Sequence, residues 1–236
     1  MNDADEFAEV TALIAEPNRA KMLWCLLDGR AYTAGELATV ASISPQSASN
    51  HLNKLIEKEL LNIEKQGRHR YYKLARPEIA YAIEAMANLI PEKSRSVKQQ
   101  PELNKCGIKY ARTCYDHLAG KMGVFITESL VSAEILVIKN KQYKVTSKGA
   151  TWFGLIGIKI DDLAKSKRAF ALQCLDWSER KHHLAGALGA ALLHKMLEKD
   201  WIRRKQGSRE VIFTHLGEES LENLFRDFKT NTFISA

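Results

Sequence analysis

Residues 44–55 read SPQSASNHLNKL. Leu52 and Leu55 stand three apart, as on the inner stripe of a helix, and Ser44 followed by Pro45 is the pattern of an N-cap and a first helical position. The opposite face is unusual. Ser44, Gln46, Ser47, Ser49, Asn50, His51 and Lys54 stand where long charged side chains ordinarily solvate a helix. Short hydrogen-bonding side chains let a helix backbone come close to a partner, so this face predicts contact.

The flanking sequence says what kind of contact. Phe7, Val10, Leu13 and Ile14 are spaced for a helix over 5–15, and a second helix after Pro17 carries Leu23, Trp24, Leu26 and Leu27 up to Asp28-Gly29. Thr33 and Glu36 make a capping box for a third helix that runs to about Ala41, and a tight link leads into a fourth over 44–58. Residues 61–66 and 71–74 read as strands joined by Gly67-Arg68-His69-Arg70, a hairpin with a basic tip. A further helix over 78–90 shows Ile79, Ile83, Met86 and Ile90 on one side, a seam expected to be shared with the first helix in a dimer.

Helix, helix, turn, helix, hairpin is the order of a winged helix-turn-helix. In that motif the second helix of the turn enters the major groove, where Ser, Gln and Asn bond base edges. Ser44, Gln46, Ser47, Ser49, Asn50 and His51 are therefore the expected base-facing residues. Lys54 and the wing residues Arg68, His69, Arg70 and Tyr71 are expected to meet phosphates or the minor groove.

Composition agrees with this. The chain has 236 residues, 45% of them hydrophobic, and a formal net charge of +7 with a pI near 9.2, which admits nucleic acid as a partner without requiring it. Basic charge collects around the quoted helix, with Lys54, Lys58, Lys65, Arg68, Arg70, Lys73 and Arg76 against Glu57, Glu59 and Glu64. Cysteines at 25, 106, 114 and 174 lack the density of a disulfide scaffold. The acidic start MNDADEFAE is unlike a signal peptide, and no apolar run has spanning length. A cytoplasmic protein without membrane attachment is expected.

The second half repeats itself. HLAGKMG at 117–123 returns as HLAGALG at 183–189, and VTSKG at 145–149 returns as FTHLG at 213–217. Each copy reads as helix, hairpin, helix, with hairpins expected over 136–146 and 201–214. Arg203, Arg204, Lys205 and Arg209 charge the second hairpin, making an extra DNA contact conceivable. The polar stretch 91–105 reads as a linker.

The segment PNRAKMLWCLLDGRAYTAGELATVASISPQSASNHLNKLIEKELLNIEKQGRHRYYKLA resembles the core of the ArsR/SmtB winged-helix repressors, over about residues 1–90. The resemblance implies a homodimer on a palindromic operator of double-stranded DNA, released by an effector it does not identify. Many relatives sense metals through cysteines of the third helix or carboxylates and histidines of the last. Here the third helix has no cysteine, and residues 78–90 contain neither His nor Asp. Metal sensing at those places is not expected, no residue is assigned as a metal ligand, and no cofactor is expected. The second half resembles that of a longer branch of the same family.

Cys114-Tyr115-Asp116-His117 and Cys174-Leu175-Asp176-Trp177 each begin with a Cys-x-Asp unit, and His182 and His183 are near the latter in sequence. Packing is the first reading of Cys114, Asp116, His117, Cys174, Asp176, Trp177, His182 and His183. A thiol sensor is the second and zinc the third. An alternative use of the second half is an apolar ligand pocket lined by Trp152, Phe153, Trp177 and Trp201. A Cys, an Asp and a His adjacent in sequence make no catalytic triad, and no segment announces an oxyanion donor, so catalysis is not expected.

The fold class expected is mostly α with β-hairpin wings. Residues 1–90 form a winged helix-turn-helix for DNA binding and dimerisation. Residues 91–105 form a linker, and 106–236 two duplicated winged-helix-like units with a regulatory role. The function expected is a DNA-binding transcriptional regulator of the repressor type.

Overall fold

A computed structural model describes residues 2–90, 106–165 and 168–229, so the linker expected at 91–105 lies outside the described residues. The chain divides into two units, residues 1–86 with 206–209 and residues 87–205 with 210–236.

In the first unit, α1 (Asp3–Ala15) is opened by a capping box between Asn2 and Asp5. Pro17 starts α2 (Pro17–Cys25), whose last turn tightens into a 3-10 turn over Leu26–Asp28. The short strand β1 (Tyr32–Thr33) leads into α3 (Ala34–Ala41), capped by Thr33 and Glu36 as expected. Ser42 then takes a left-handed conformation with φ 58°, which breaks α3 and turns the chain within three residues into α4 (Pro45–Glu57). Ser44 caps α4 by accepting from the Ser47 amide at 3.1 Å.

The wing is β2 (Leu61–Gln66) against β3 (His69–Leu74), and β1 pairs on the far side of β3 to give the order β1-β3-β2. Its turn is shorter than the sequence suggested. Only Gly67 and Arg68 form it, Gly67 supplying φ 58°, while His69 and Arg70 are ladder residues opposite Gln66 and Lys65. Helix α5 (Pro77–Ala87) closes the unit. Met22, Leu23, Leu26, Leu37, Ala41, Leu52, Leu55, Leu61, Tyr72, Ile79 and Ile83 make one core. Of the expected seam on the last helix, Ile79 and Ile83 belong to this core, whereas Met86 and Ile90 are exposed. Phe7 on α1 is exposed as well, while Val10 and Ile14 pack inward.

The second unit alternates hairpin, helix, hairpin, helix, and does so twice. The first round is β4 (Arg112–Cys114), β5 (His117–Ala119), α6 (Gly120–Ser132), β6 (Leu136–Lys139), β7 (Gln142–Val145) and α7 (Ser147–Leu155), followed by the short α8 (Ile160–Ala164). The second is β8 (Leu172–Leu175), β9 (His182–Ala185), α9 (Gly186–Glu198), β10 (Ile202–Arg204), β11 (Val211–Phe213) and α10 (His215–Lys229). The helix-hairpin-helix order expected for each copy is present. The hairpins in front, β4–β5 and β8–β9, were not anticipated from the sequence.

Both HLAG segments serve one geometry. Gly120 and Gly186 each have φ +81°, and a Cβ there would come within 2.8 Å of the Lys109 carbonyl and 2.7 Å of the Ala169 carbonyl respectively, so strand can turn into helix only at glycine. The two rounds then pack crosswise, α6 against β9 and α9 against β5, with β5 beside β9. Trp152, Phe153, Leu130, Leu188, Met196, Ile202 and Phe225 fill the core beneath.

Candidate functional site

Leu52, Leu55 and Ala48 pin α4 to its unit, which leaves Ser44, Gln46, Asn50, Asn53 and Lys54 exposed and Ser47 and Ser49 half-buried. Asn53 belongs to this outer face although the sequence reading passed over it. Its place one residue after buried Leu52 was the available signal. The Ser49 hydroxyl donates to the Pro45 carbonyl at 2.9 Å, within the helix.

His51 requires correction. Its Nδ1 lies 3.4 Å from Glu16 Oε2 and 3.3 Å from Arg19 Nη1, so the ring turns back onto α2 rather than outward. Those two partners are themselves anchored, since Glu16 caps α2 at the Asn18 and Arg19 amides and Arg19 reaches the Leu13 carbonyl. Burial would raise the Glu16 carboxyl, but these amides together with His51 and Arg19 hold it below its ordinary range.

The basic side chains divide into two classes. Lys58 is paired with Glu9 at 2.6 Å and Lys73 with Glu64 at 2.8 Å. Lys54, Lys65, Arg68 and Arg70 are exposed and, among the described residues, have no such acidic partner. Lys65 and Arg70 face each other directly across the wing. Like charges opposed in this way destabilise a hairpin, and a polyanion laid along them reverses the sign. Exposed His69 and half-buried Tyr71, either side of Arg70 on β3, lie on the other face of the wing. In the second unit Arg203 is paired with Asp200 at 2.6 Å and Lys205 with Glu210 at 2.7 Å, so these cations of the 203–209 hairpin are already compensated.

A second constellation lies inside the second unit. The ladder sets Cys114 directly opposite His117 in β4–β5 and Cys174 directly opposite His183 in β8–β9. Because β5 lies beside β9, the two Cys–His pairs meet. Nε2 of His117 is 3.1 Å from Nε2 of His183, and all four donor atoms, two sulfurs and two nitrogens, lie within 4.8 Å of one another. Cys114, His117 and His183 are buried and Cys174 partly so, and none of the cysteines is in a disulfide.

Carboxylates flank both imidazoles. Asp116 Oδ1 is 3.5 Å from His117 Nδ1, and Asp176 Oδ2 is 3.6 Å from His183 Nδ1. Asp116 is gripped by both terminal nitrogens of Arg168, one of them at 2.8 Å. Asp176, with no exposed surface, accepts from Arg112 at 2.9 Å, the Gly120 amide at 2.7 Å, and the Ser178 amide and hydroxyl at 2.9 and 2.7 Å. Burial works to raise the Asp176 carboxyl, but the Arg112 guanidinium, the Ser178 hydroxyl and the Gly120 amide hold it far below the usual carboxylate range. Arg112 in turn lies 4.9 Å from the centre of the Trp177 ring.

Six of the eight residues singled out in the second half therefore converge: Cys114, Asp116, His117, Cys174, Asp176 and His183. Trp177 supports Arg112 from beneath, and only His182 is exposed, on the other face of β9. Four of these candidates, to none of which the sequence reading gave a metal, form a metal-type donor set that strand register and the packing of β5 beside β9 create together. The repeat carried the signal, since His117 and His183 occupy the same place in the two HLAG segments. The thiol-sensor reading loses ground. A hydrogen bond with Cys174, then burial, push the Cys114 thiol up to about 12, away from a reactive thiolate.

The aromatic pocket is also corrected. Trp152 and Phe153 are fully buried, and Trp177 and Trp201 nearly so, as packing against the core and against Arg112. A cleft of about 540 Å³ exists instead between α6 and α10, lined by Tyr110, Met122, Phe125, Leu221, Phe225 and Arg226.

Among known proteins, a family described as a helix-turn-helix domain matches residues 14–64. The chain is 47% identical over 216 residues to YdfF of Bacillus subtilis (strain 168), an HTH-type transcriptional regulator, covering 91% of this chain and 95% of that one. It is 38% identical over 77 residues to the transcriptional repressor SdpR of the same organism, covering 33% of this chain and 84% of that one. HlyU from Vibrio cholerae N16961 is similar at 27% identity over 38% of this chain and 97% of its own, with a TM-score of 0.35. No described helix is long and apolar enough to cross a membrane.

Proposed function

The chain belongs to the HTH-type transcriptional regulators and is not an enzyme, and on that premise we propose that it is a homodimeric cytoplasmic repressor that reads a palindromic operator through α4. Within that family the residues quoted above argue for the ArsR/SmtB type. The observation carrying the proposal is the outer face of α4 beside the wing. Gln46, Asn50 and Asn53 offer bidentate or paired hydrogen bonds to base edges, and Lys54, Lys65, Arg68 and Arg70 are cations without acidic partners among the described residues. Exposed Phe7 on α1 and exposed Tyr81 and Met86 on α5 support a dimer seam over those helices.

The second half is read as the regulatory part. Its cleft between α6 and α10 is mostly apolar, with Glu218, Glu222 and Arg226 among its lining, and would take a small amphipathic effector.

The test is fluorescence anisotropy on the protein's own promoter fragment, with and without excess unrelated DNA. Gln46→Ala or Asn50→Ala should weaken specific binding by about 1–3 kcal/mol and leave nonspecific binding nearly unchanged, whereas Arg70→Ala should weaken both. Equal losses on both DNAs for the first two would remove base reading from α4.

A further inference from the structure

We propose that Cys114, His117, Cys174 and His183 form a closed tetrahedral site for one zinc-class divalent cation, which ties the hairpin β4–β5 to the hairpin β8–β9. The donor geometry fits. With zinc–nitrogen bonds of about 2.0–2.1 Å, a tetrahedral site sets its two imidazole nitrogens roughly 3.4 Å apart, and the sulfurs wider. Here Nε2 of His117 and Nε2 of His183 are 3.1 Å apart, and no donor is more than 4.8 Å from another.

Neither Nδ1 makes a hydrogen bond among the described residues, but the charge nearby favours one tautomer of each ring. Each Nδ1 faces a carboxylate, Asp116 at 3.5 Å and Asp176 at 3.6 Å, which favours the proton on Nδ1 and leaves Nε2 as the donor to a metal. Two such Nε2 lone pairs pointed at each other in a buried place repel unless a cation lies between them.

Charge balances as well. A divalent cation with two thiolates is neutral, and each flanking carboxylate already has its own arginine, Arg168 for Asp116 and Arg112 for Asp176. The group therefore adds no net charge to a buried site. On binding, the two thiol protons leave to solvent and two sulfur–metal bonds form, with no change of oxidation state.

Two nitrogens and two sulfurs in a tetrahedron select zinc over magnesium or calcium, which demand oxygen ligands in larger number. All four positions come from the protein, which leaves none for water, so the site is one that holds structure rather than one that activates water. The inference does not rest on the reading of α4, and its test needs no DNA.

The full-length chain is reduced, stripped with chelator and titrated with cobalt(II). The expected result is saturation at one equivalent, with the intense visible bands of tetrahedral cobalt and a near-ultraviolet thiolate charge-transfer band, both erased by one equivalent of zinc. The Cys25→Ala/Cys106→Ser double variant should keep these bands in full. Cys174→Ser should shift and weaken them, and His117→Asn should weaken binding at least tenfold. Weak octahedral absorption only, no saturation at one equivalent, or bands lost with Cys25 and Cys106 would each overturn the site. So would a Cys114–Cys174 disulfide that returns in air in the presence of zinc. The wild-type titration and the double variant decide the matter even if Cys174→Ser fails to fold.

Discussion

Asp176→Asn removes one charge from a carboxylate with no exposed surface and takes the ionic partner from Arg112, which is only 1% exposed and keeps neutral acceptors in the Ile108 carbonyl and the Ser178 hydroxyl. The asparagine oxygen can still accept from the Ser178 and Glu179 amides, which now meet Oδ1 at 2.9 and 3.1 Å. Its amide group is then directed at the Gly120 amide and the Arg112 guanidinium, both donors, where Oδ2 now accepts at 2.7 and 2.9 Å. Breaking one side of a buried ion pair costs about 3–5 kcal/mol, because the surviving charge has lost both water and partner. That is a large share of the roughly 5–15 kcal/mol that holds a domain together. The assay is urea unfolding followed by tryptophan fluorescence, which reports mainly the second unit, since Trp152, Trp177 and Trp201 all lie there. With a slope of about 2 kcal/mol per molar, a 4 kcal/mol loss moves the midpoint down by about 2 M. Adding Arg112→Met to Asp176→Asn removes the cation as well, so the pair should show a coupling energy of about 1–3 kcal/mol. A single-variant loss under about 1 kcal/mol, or strict additivity in the double variant, would refute the reasoning that this buried ion pair stabilises the second unit.

Acid should act on the same unit. Asp176 and Asp116 are both held below their ordinary range in the folded state, burial opposing and their arginines prevailing. Their contribution is fully present above the unfolded carboxylate value of about 3.9 and is lost as pH falls below it, so unfolding midpoints should drop steeply under about pH 4. In the first unit, Leu52→Ala leaves a cavity at a fully buried position and should cost about 2–5 kcal/mol, read by urea unfolding followed by far-ultraviolet circular dichroism, with DNA binding lost in proportion to the unfolded fraction. Ser44→Ala deletes the acceptor for the Ser47 amide and should cost about 1 kcal/mol of stability. Arg70→Ala, on the exposed wing, should reduce the slope of log affinity against log salt by about 1 per protomer, and an unchanged slope would take Arg70 off the phosphate path.

How much was legible in the sequence can be judged element by element. The cap at Ser44, the proline after it, the Thr33–Glu36 box and the apolar spacing of Leu52 and Leu55 are local signals that act within one or two turns of chain, and the helix-turn-helix with its wing follows from them. The direction of His51 was not legible, because it depends on Glu16 and Arg19, which a different helix brings within 3.4 and 3.3 Å. The two-residue turn of the wing was obscured by its run of cations, which read as loop although His69 and Arg70 pair in the ladder.

In the second half, sequence alone determined the repeat, the glycines that turn strand into helix, and the recurrence of Cys-x-Asp. It left open whether those cysteines and histidines meet. Cys114 reaches His117 across a two-residue turn, but Cys174 reaches His183 across a longer loop, and no fixed ligand spacing relates them. Only tertiary structure decided the matter. Strand register puts each cysteine opposite its histidine, and crosswise packing of α6 on β9 and α9 on β5 brings the two pairs to one point. Secondary structure is written in short-range periodicity and capping, whereas a site drawn from two hairpins exists only once long-range burial has closed the chain between them.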